Sequence, residues 1–184
     1  MTRIIKATVA GSALLGCIAL GGGPAFGQSP SGGAIKVWVT PSTSGSGSKP
    51  DPIVITGAIA DYGTSQNVNS SGKPAANTDR VKVTLKKGTF IVNTSQLNSA
   101  LDNAQPTDYN SSNCSASISA GPSDVAIVAN SGTGAYSGIS GSITMTAQLA
   151  IILPKTKSGS CNQSNNANPV AGWGEITGNG TVSF

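Results

Sequence analysis

The 184-residue chain contains no histidine. That absence removes the usual general base near neutral pH, the commonest zinc ligand, and every Ser-His or Cys-His nucleophile pair. Carboxylates are scarce as well. Of seven acidic residues only Glu175 is a glutamate, so a paired-carboxylate or calcium-cage site has few groups to draw on. Asp102, Asp108 and Asp124 lie too far apart for a loop-type calcium site, and no metal or other cofactor is expected. Aromatic residues make up 4% of the chain and charged ones 10%. Polarity resides instead in Ser, Thr, Asn and Gly, which suits turns and solvated strand faces.

The N-terminus carries a processing signal. Arg3 and Lys6 precede an apolar run from Ala7 to Leu20, and Ala25-Phe26-Gly27 offers small residues at the two positions a signal peptidase reads. The run is shorter than the ~20 residues of a spanning helix. Residues 1–27 are therefore expected to be a secretory signal cleaved before Gln28, and residues 28–184 a single domain in the periplasm or outside the cell. Leu14-Leu15-Gly16-Cys17 offers a competing lipidation signal, disfavoured because Ile-Ala-Leu follows it in place of a polar tether. Cleavage takes two of the 11 basic residues and no acid, leaving nine against seven and a net charge of +2.

Cleavage also takes Cys17. Cys114 and Cys161 then form the only pair in a chain bound for an oxidising compartment, and a disulfide between them is expected. Arg80, Lys82, Lys86 and Lys87 cluster in sequence. Lys at alternate strand positions covers a solvated face or protects an edge, and without aromatic residues interleaved along the chain no nucleic-acid partner is expected.

Strand patterns dominate. Ile143, Met145, Ala147, Leu149, Ile151 and Leu153 share one face of a twelve-residue segment over 142–153. The C-terminus repeats this more weakly, with Ile176, Val182 and Phe184 on one side and Gly178 and Gly180 between them. Further strands are expected at Ile35–Thr40, Ile53–Asp61, Val81–Leu85, Thr89–Asn93, Cys114–Ser119 and Asp124–Ala129, which brings the number to eight. The apolar face switches parity across Lys86-Lys87-Gly88, so Gly88 marks a hairpin turn or a bulge. One short helix fits Ser95–Leu101, capped by Thr94 or Ser95. Segments 41–52, 63–79, 102–113 and 154–171 read as loops. Such a sequence specifies an all-β fold, an antiparallel eight-stranded barrel or alternatively a β-sandwich.

The most distinctive stretch is Gly132-Thr-Gly-Ala-Tyr-Ser-Gly-Ile-Ser-Gly141. No Lys closes it as a phosphate loop, and a strand, not a helix, follows. A tight turn with Tyr136 packed at a barrel rim is the expected structure. With the strand after it, the stretch resembles the turn and long strand of the allene oxide cyclase and dirigent-like barrels, over roughly residues 124–153. The resemblance implies an eight-stranded antiparallel barrel and a family whose members bind hydrophobic small molecules and steer their cyclisation or coupling.

Candidate pocket or rim residues are Tyr136, Asp61, Arg80 and Glu175, the last three being the ionisable groups nearest the expected strands. Asp61, Arg80 and Glu175 are expected on solvated faces. The terminal Phe184 also resembles the end of an outer-membrane barrel, but the chain has too few aromatics for two interfacial girdles. The expectation is a secreted, non-catalytic barrel that binds a small apolar ligand or serves as a surface module. Alternatives are a cyclase-like or dirigent-like protein, which would be an isomerase working without His or metal, and a fibre or adhesin subunit that oligomerises through an edge strand.

Overall fold

The computed structural model describes residues 31–41, 49–164 and 167–184. The expected signal segment, its cleavage point and Cys17 lie outside the described residues. Eight strands form a closed barrel in which each is antiparallel to the next and β8 closes on β1. In chain order they are β1 (Gly33–Val39), β2 (Asp51–Gly57), β3 (Asp61–Asn67), β4 (Arg80–Leu85), β5 (Gly88–Asn93), β6 (Ser115–Ile127), β7 (Ser140–Ile152) and β8 (Ala171–Ser183). One helix, α1 (Ser95–Asp102), and a single 3-10 turn at Gly134–Tyr136 complete the described elements. Closure leaves no open sheet edge where the eight strands meet, which is how a sheet this short in sequence buries a core without a second layer.

The strand number agrees with expectation through two compensating differences. Asp61–Asn67 is a full strand where the sequence suggests a loop, and Cys114–Ser119 with Asp124–Ala129 is one strand, β6, where it suggests two. In β3 the inward positions are Asp61, Gly63, Ser65 and Asn67, so no apolar alternation marks it. Its pairing is secured by neighbours instead. A Cβ on Gly63 would lie 1.9 Å from the Thr84 carbonyl oxygen, so only glycine permits this approach of β3 to β4.

In β6 an extra residue at Gly121-Pro122 breaks register between Ala120 and Ser123. The bulge flips parity, so Ala116 and Ala120 face inward before it and Val125 and Ile127 after it. Proline has no N–H for a ladder, and a bulge tolerates that. The switch at Gly88 resolves as a hairpin, with Leu85 paired to Gly88 across Lys86-Lys87.

β5 and β6 share only two paired positions, Val92–Ile127 and Asn93–Ala126. Elsewhere the edge of β5 is completed by the segment after β6. The amides of Val128, Thr133 and Ala135 donate to the carbonyls of Ile91, Thr89 and Lys87. On the other side of the gap α1 packs against β6 and puts Leu97 into the core. Thr94 takes the N-cap position as expected, but its side chain makes no cap; Asn93 Oδ1 accepts the Ser95 N–H at 3.0 Å instead.

β6, β7 and β8 run on past the barrel as a three-stranded extension, in which residues 115–120, 147–152 and 171–176 pair in succession. The disulfide Cys114–Cys161 sits at its far end with Cα atoms 5.3 Å apart, joining the start of β6 to the loop after β7. No described helix is long and apolar enough to cross a membrane.

Candidate functional site

The two ends of the barrel differ. At one end Tyr136, Phe90, Ile139 and Ile59 are buried and close the interior. Tyr136 is fully enclosed, edge-on to Phe90 at 5.7 Å between ring centroids and tilted against Phe184 at 6.4 Å. The expected rim position is thus a plug. Its hydroxyl donates to Asp61 Oδ2, which also accepts the Lys87 amide at 3.1 Å, while Asp61 Oδ1 accepts the Tyr62 amide at 2.8 Å. Asp61 is 7% exposed, in contrast to the solvated face expected for it, because β3 begins at the point where three connections converge on the barrel end. Burial pushes its carboxyl up, but the hydrogen bonds from Tyr136 and from the Tyr62, Lys87 and Lys86 amides outweigh this and hold it below its ordinary value. Burial, together with the hydrogen bond to Asp61 and its charge, pushes the Tyr136 phenol up. The pair is a neutral phenol on an ionised carboxylate.

The opposite end holds a cavity of about 270 Å³. Its apolar wall comes from inward positions of the strands, including Val39, Ile53, Val83, Val92 and Met145, and Leu97 and Leu101 of α1 cover it from above. Its polar wall comes largely from β3. Ser65 is buried, and Gln66 and Asn67 follow it; Asp51 pairs with Ser65 from β2, and Thr94 and Asn98 approach from the start of α1. A second apolar space of about 380 Å³ lies against the extension, lined by Ile118, Leu149, Ile151 and Pro169, and shares Pro41, Leu101 and Ile176 with the first. A larger, shallow depression of about 400 Å³ lies beside Trp173 and Ile152, with Asp108, Ser115 and Ser117 along its lining.

None of the four expected site residues lines the mouth cavity. Tyr136 and Asp61 meet each other at the sealed end. Glu175 lies on the outward row of β8, paired with Gln148. Arg80, at the start of β4, is half-buried, and its Nε is enclosed without a hydrogen-bond partner. The cavity's polar residues were missed because Asp51, Ser65 and Asn67 become neighbours only through β2–β3 pairing. The one local signal was Tyr62 and Thr64, β-forming residues alternating with small polar ones. Among the described residues no group of three or more His, Cys, Asp or Glu could hold a metal.

Comparison of the chain with protein-family models, curated proteins and solved structures finds no match.

Proposed function

We propose that the protein is a secreted, non-catalytic barrel that takes a small, mostly apolar ligand into the mouth cavity beneath α1. One observation carries the reading: one end of the barrel is sealed by Tyr136, while the other holds a partly open cavity with aliphatic walls and polar groups gathered on one side. Such a division orients an apolar molecule that has one polar end. The volume sits near the lower limit of roughly 300–1,000 Å³ usual for small-molecule sites, which favours a compact ligand. The disulfide supports an oxidising compartment.

Uptake of N-phenyl-1-naphthylamine, followed by its fluorescence, tests this. The wild type should bind the dye. Val81→Phe, which fills the cavity from a half-buried lining position, should lose most of that binding while keeping the far-UV circular dichroism spectrum. A wild type that takes up no dye, or a filled variant that binds it equally, would overturn the reading.

The carboxylate of Asp51 in the cavity lining favours a second reading, a cyclase-like or dirigent-like protein that shapes a bound substrate and steers its closure. It takes the same cavity and adds a role for Asp51. Asp51→Asn would then abolish turnover of a bound substrate and leave dye uptake intact.

A further inference from the structure

The outward positions of β1–β4 form a surface that the sequence does not reveal. Trp38 pairs with Val54 across β1–β2, and Val54 pairs with Tyr62 across β2–β3. The three side chains make one row around the barrel, exposed by 38%, 47% and 59% respectively. Large apolar groups left this open on adjacent strands make a contiguous patch. The row is framed by hydroxyls. Thr56 and Thr64 flank it on β2 and β3, and Thr177 is paired with Trp38 from β8.

Charge on the outward positions of β1–β4 has one sign, and Glu175, two residues from Thr177 on the outward row of β8, is the carboxylate at its border. Lys36 stands two residues from Trp38 on the same strand, paired with Thr56. The Lys86 ammonium lies 5.3 Å from the centre of the Tyr62 ring. Lys82 lies further along β4, and no outward position of β1–β4 is a carboxylate, since Asp51 and Asp61 both face inward. Of the bases clustered near residue 80, Lys86 thus acquires an aromatic neighbour from β3 that is distant in sequence.

We infer that this face binds a linear anionic polysaccharide of uronate type. The two aromatic residues sit on alternate strands, about 10 Å apart at two strand spacings. That is close to the repeat of two pyranose rings in an extended β-1,4-linked chain, in which every second sugar presents the same face. Sugar C–H faces carry slight positive charge and stack on the negative faces of aromatic rings. Thr56, Thr64 and Thr177 offer hydroxyls for exchange with sugar hydroxyls. Lys36 and Lys86 supply charge complementary to uronate carboxylates spaced along the chain. A single nucleic-acid strand would require a continuous cationic track for its phosphates, whereas this face mixes three Lys with threonines. The site is on the outer wall and is independent of the mouth cavity.

Affinity electrophoresis of the purified full domain through gels containing polymannuronate tests the inference, with hydroxyethylcellulose as the neutral β-1,4-linked control. Polymannuronate should retard the wild type, more strongly at low salt, and the neutral polymer should do so more weakly. Trp38→Ala and Tyr62→Ala should each weaken retardation roughly fivefold to tenfold. Lys36→Gln combined with Lys86→Gln should remove most of the salt dependence. All these positions are on the outer face, and unchanged thermal melting should confirm that the variants fold. The inference fails if polymannuronate does not retard the protein, or if Trp38→Ala and Tyr62→Ala bind like wild type. It also fails if hydroxyethylcellulose binds as tightly, or if oligo(dT) or phosphatidylglycerol vesicles bind more tightly than polymannuronate.

Discussion

Tyr136 donates its hydroxyl to Asp61 at 2.5 Å across a sequence separation of 75 residues, inside the sealed end of the barrel. Asp61 opens β3, Lys87 lies in the β4–β5 hairpin, and Tyr136 belongs to the segment between β6 and β7, so one carboxylate ties three connections together.

Removing that hydroxyl should weaken the fold. A hydrogen bond to a buried charged group contributes about 1.5–3 kcal/mol, so Tyr136→Phe should lower the melting temperature by roughly 3–12 °C for a domain of this size. Calorimetry at neutral pH measures it. A change of less than a degree would mean that Phe90 and Phe184 packing alone holds the plug.

The same pair sets the pH limits of stability. Asp61 titrates lower in the folded state than in the unfolded chain, so its contribution is complete above the ordinary carboxyl range and is lost as pH falls through that range and below. Tyr136 titrates higher when folded, so its contribution is complete below the ordinary phenol value and is lost as pH climbs past about 10. In melting curves across pH, Asp61→Asn should flatten the acid limb and Tyr136→Phe the alkaline limb. An unchanged acid limb in Asp61→Asn would assign acid sensitivity to other carboxylates.

The disulfide closes a loop with a sequence separation of 47. In the chain-entropy model this contributes about 4 kcal/mol through the unfolded state. Replacing Cys114 and Cys161 together by Ser should lower the denaturation midpoint accordingly. A measured loss under about 1 kcal/mol would show that the extension it anchors is held by other contacts.

Gly63 should tolerate no side chain. Its missing Cβ is where the Thr84 carbonyl lies, so Gly63→Ala forces β3 from β4 and should cost at least the ~1–3 kcal/mol typical of overpacking. Because β3 also carries Ser65 and Asn67, the same variant should weaken dye uptake at the mouth. Wild-type stability and uptake together would show that this seam yields readily.

Leu97→Ala tests the helix as part of the barrel wall. Leu97 is 3% exposed and fills the gap where β5 and β6 part, so truncation should cost about 2–5 kcal/mol and enlarge the mouth cavity. Urea denaturation measures the first effect and dye affinity the second. A loss well under 1 kcal/mol would mean that α1 lies on the barrel without sealing it.

Alternation in the sequence was enough to indicate an all-β fold, as a barrel or a sandwich, the long β7, a hairpin or bulge at Gly88, the helix near Ser95 and the Cys114–Cys161 bond, because each depends on local periodicity, turn chemistry or elimination among few cysteines; closure of the barrel and the choice of hairpin came from long-range pairing. β3 was illegible because its inward face is Asp, Gly, Ser and Asn, and hydrophobic periodicity cannot mark a strand that buries polar groups. The parity flip in β6 was read as a break between two strands for a related reason: a bulge interrupts alternation without ending pairing.

The absence of histidine and the scarcity of acids limited the chemistry from the outset, since residue types that a chain lacks cannot be supplied by folding. Only the tertiary structure decided where the remaining polar groups act. Cross-strand pairing buried Asp61 against Tyr136, gathered Asp51, Ser65 and Asn67 at the mouth, and aligned Trp38, Val54 and Tyr62 on the outer wall. Those neighbours are set by register around a closed sheet, a long-range property that no local pattern encodes.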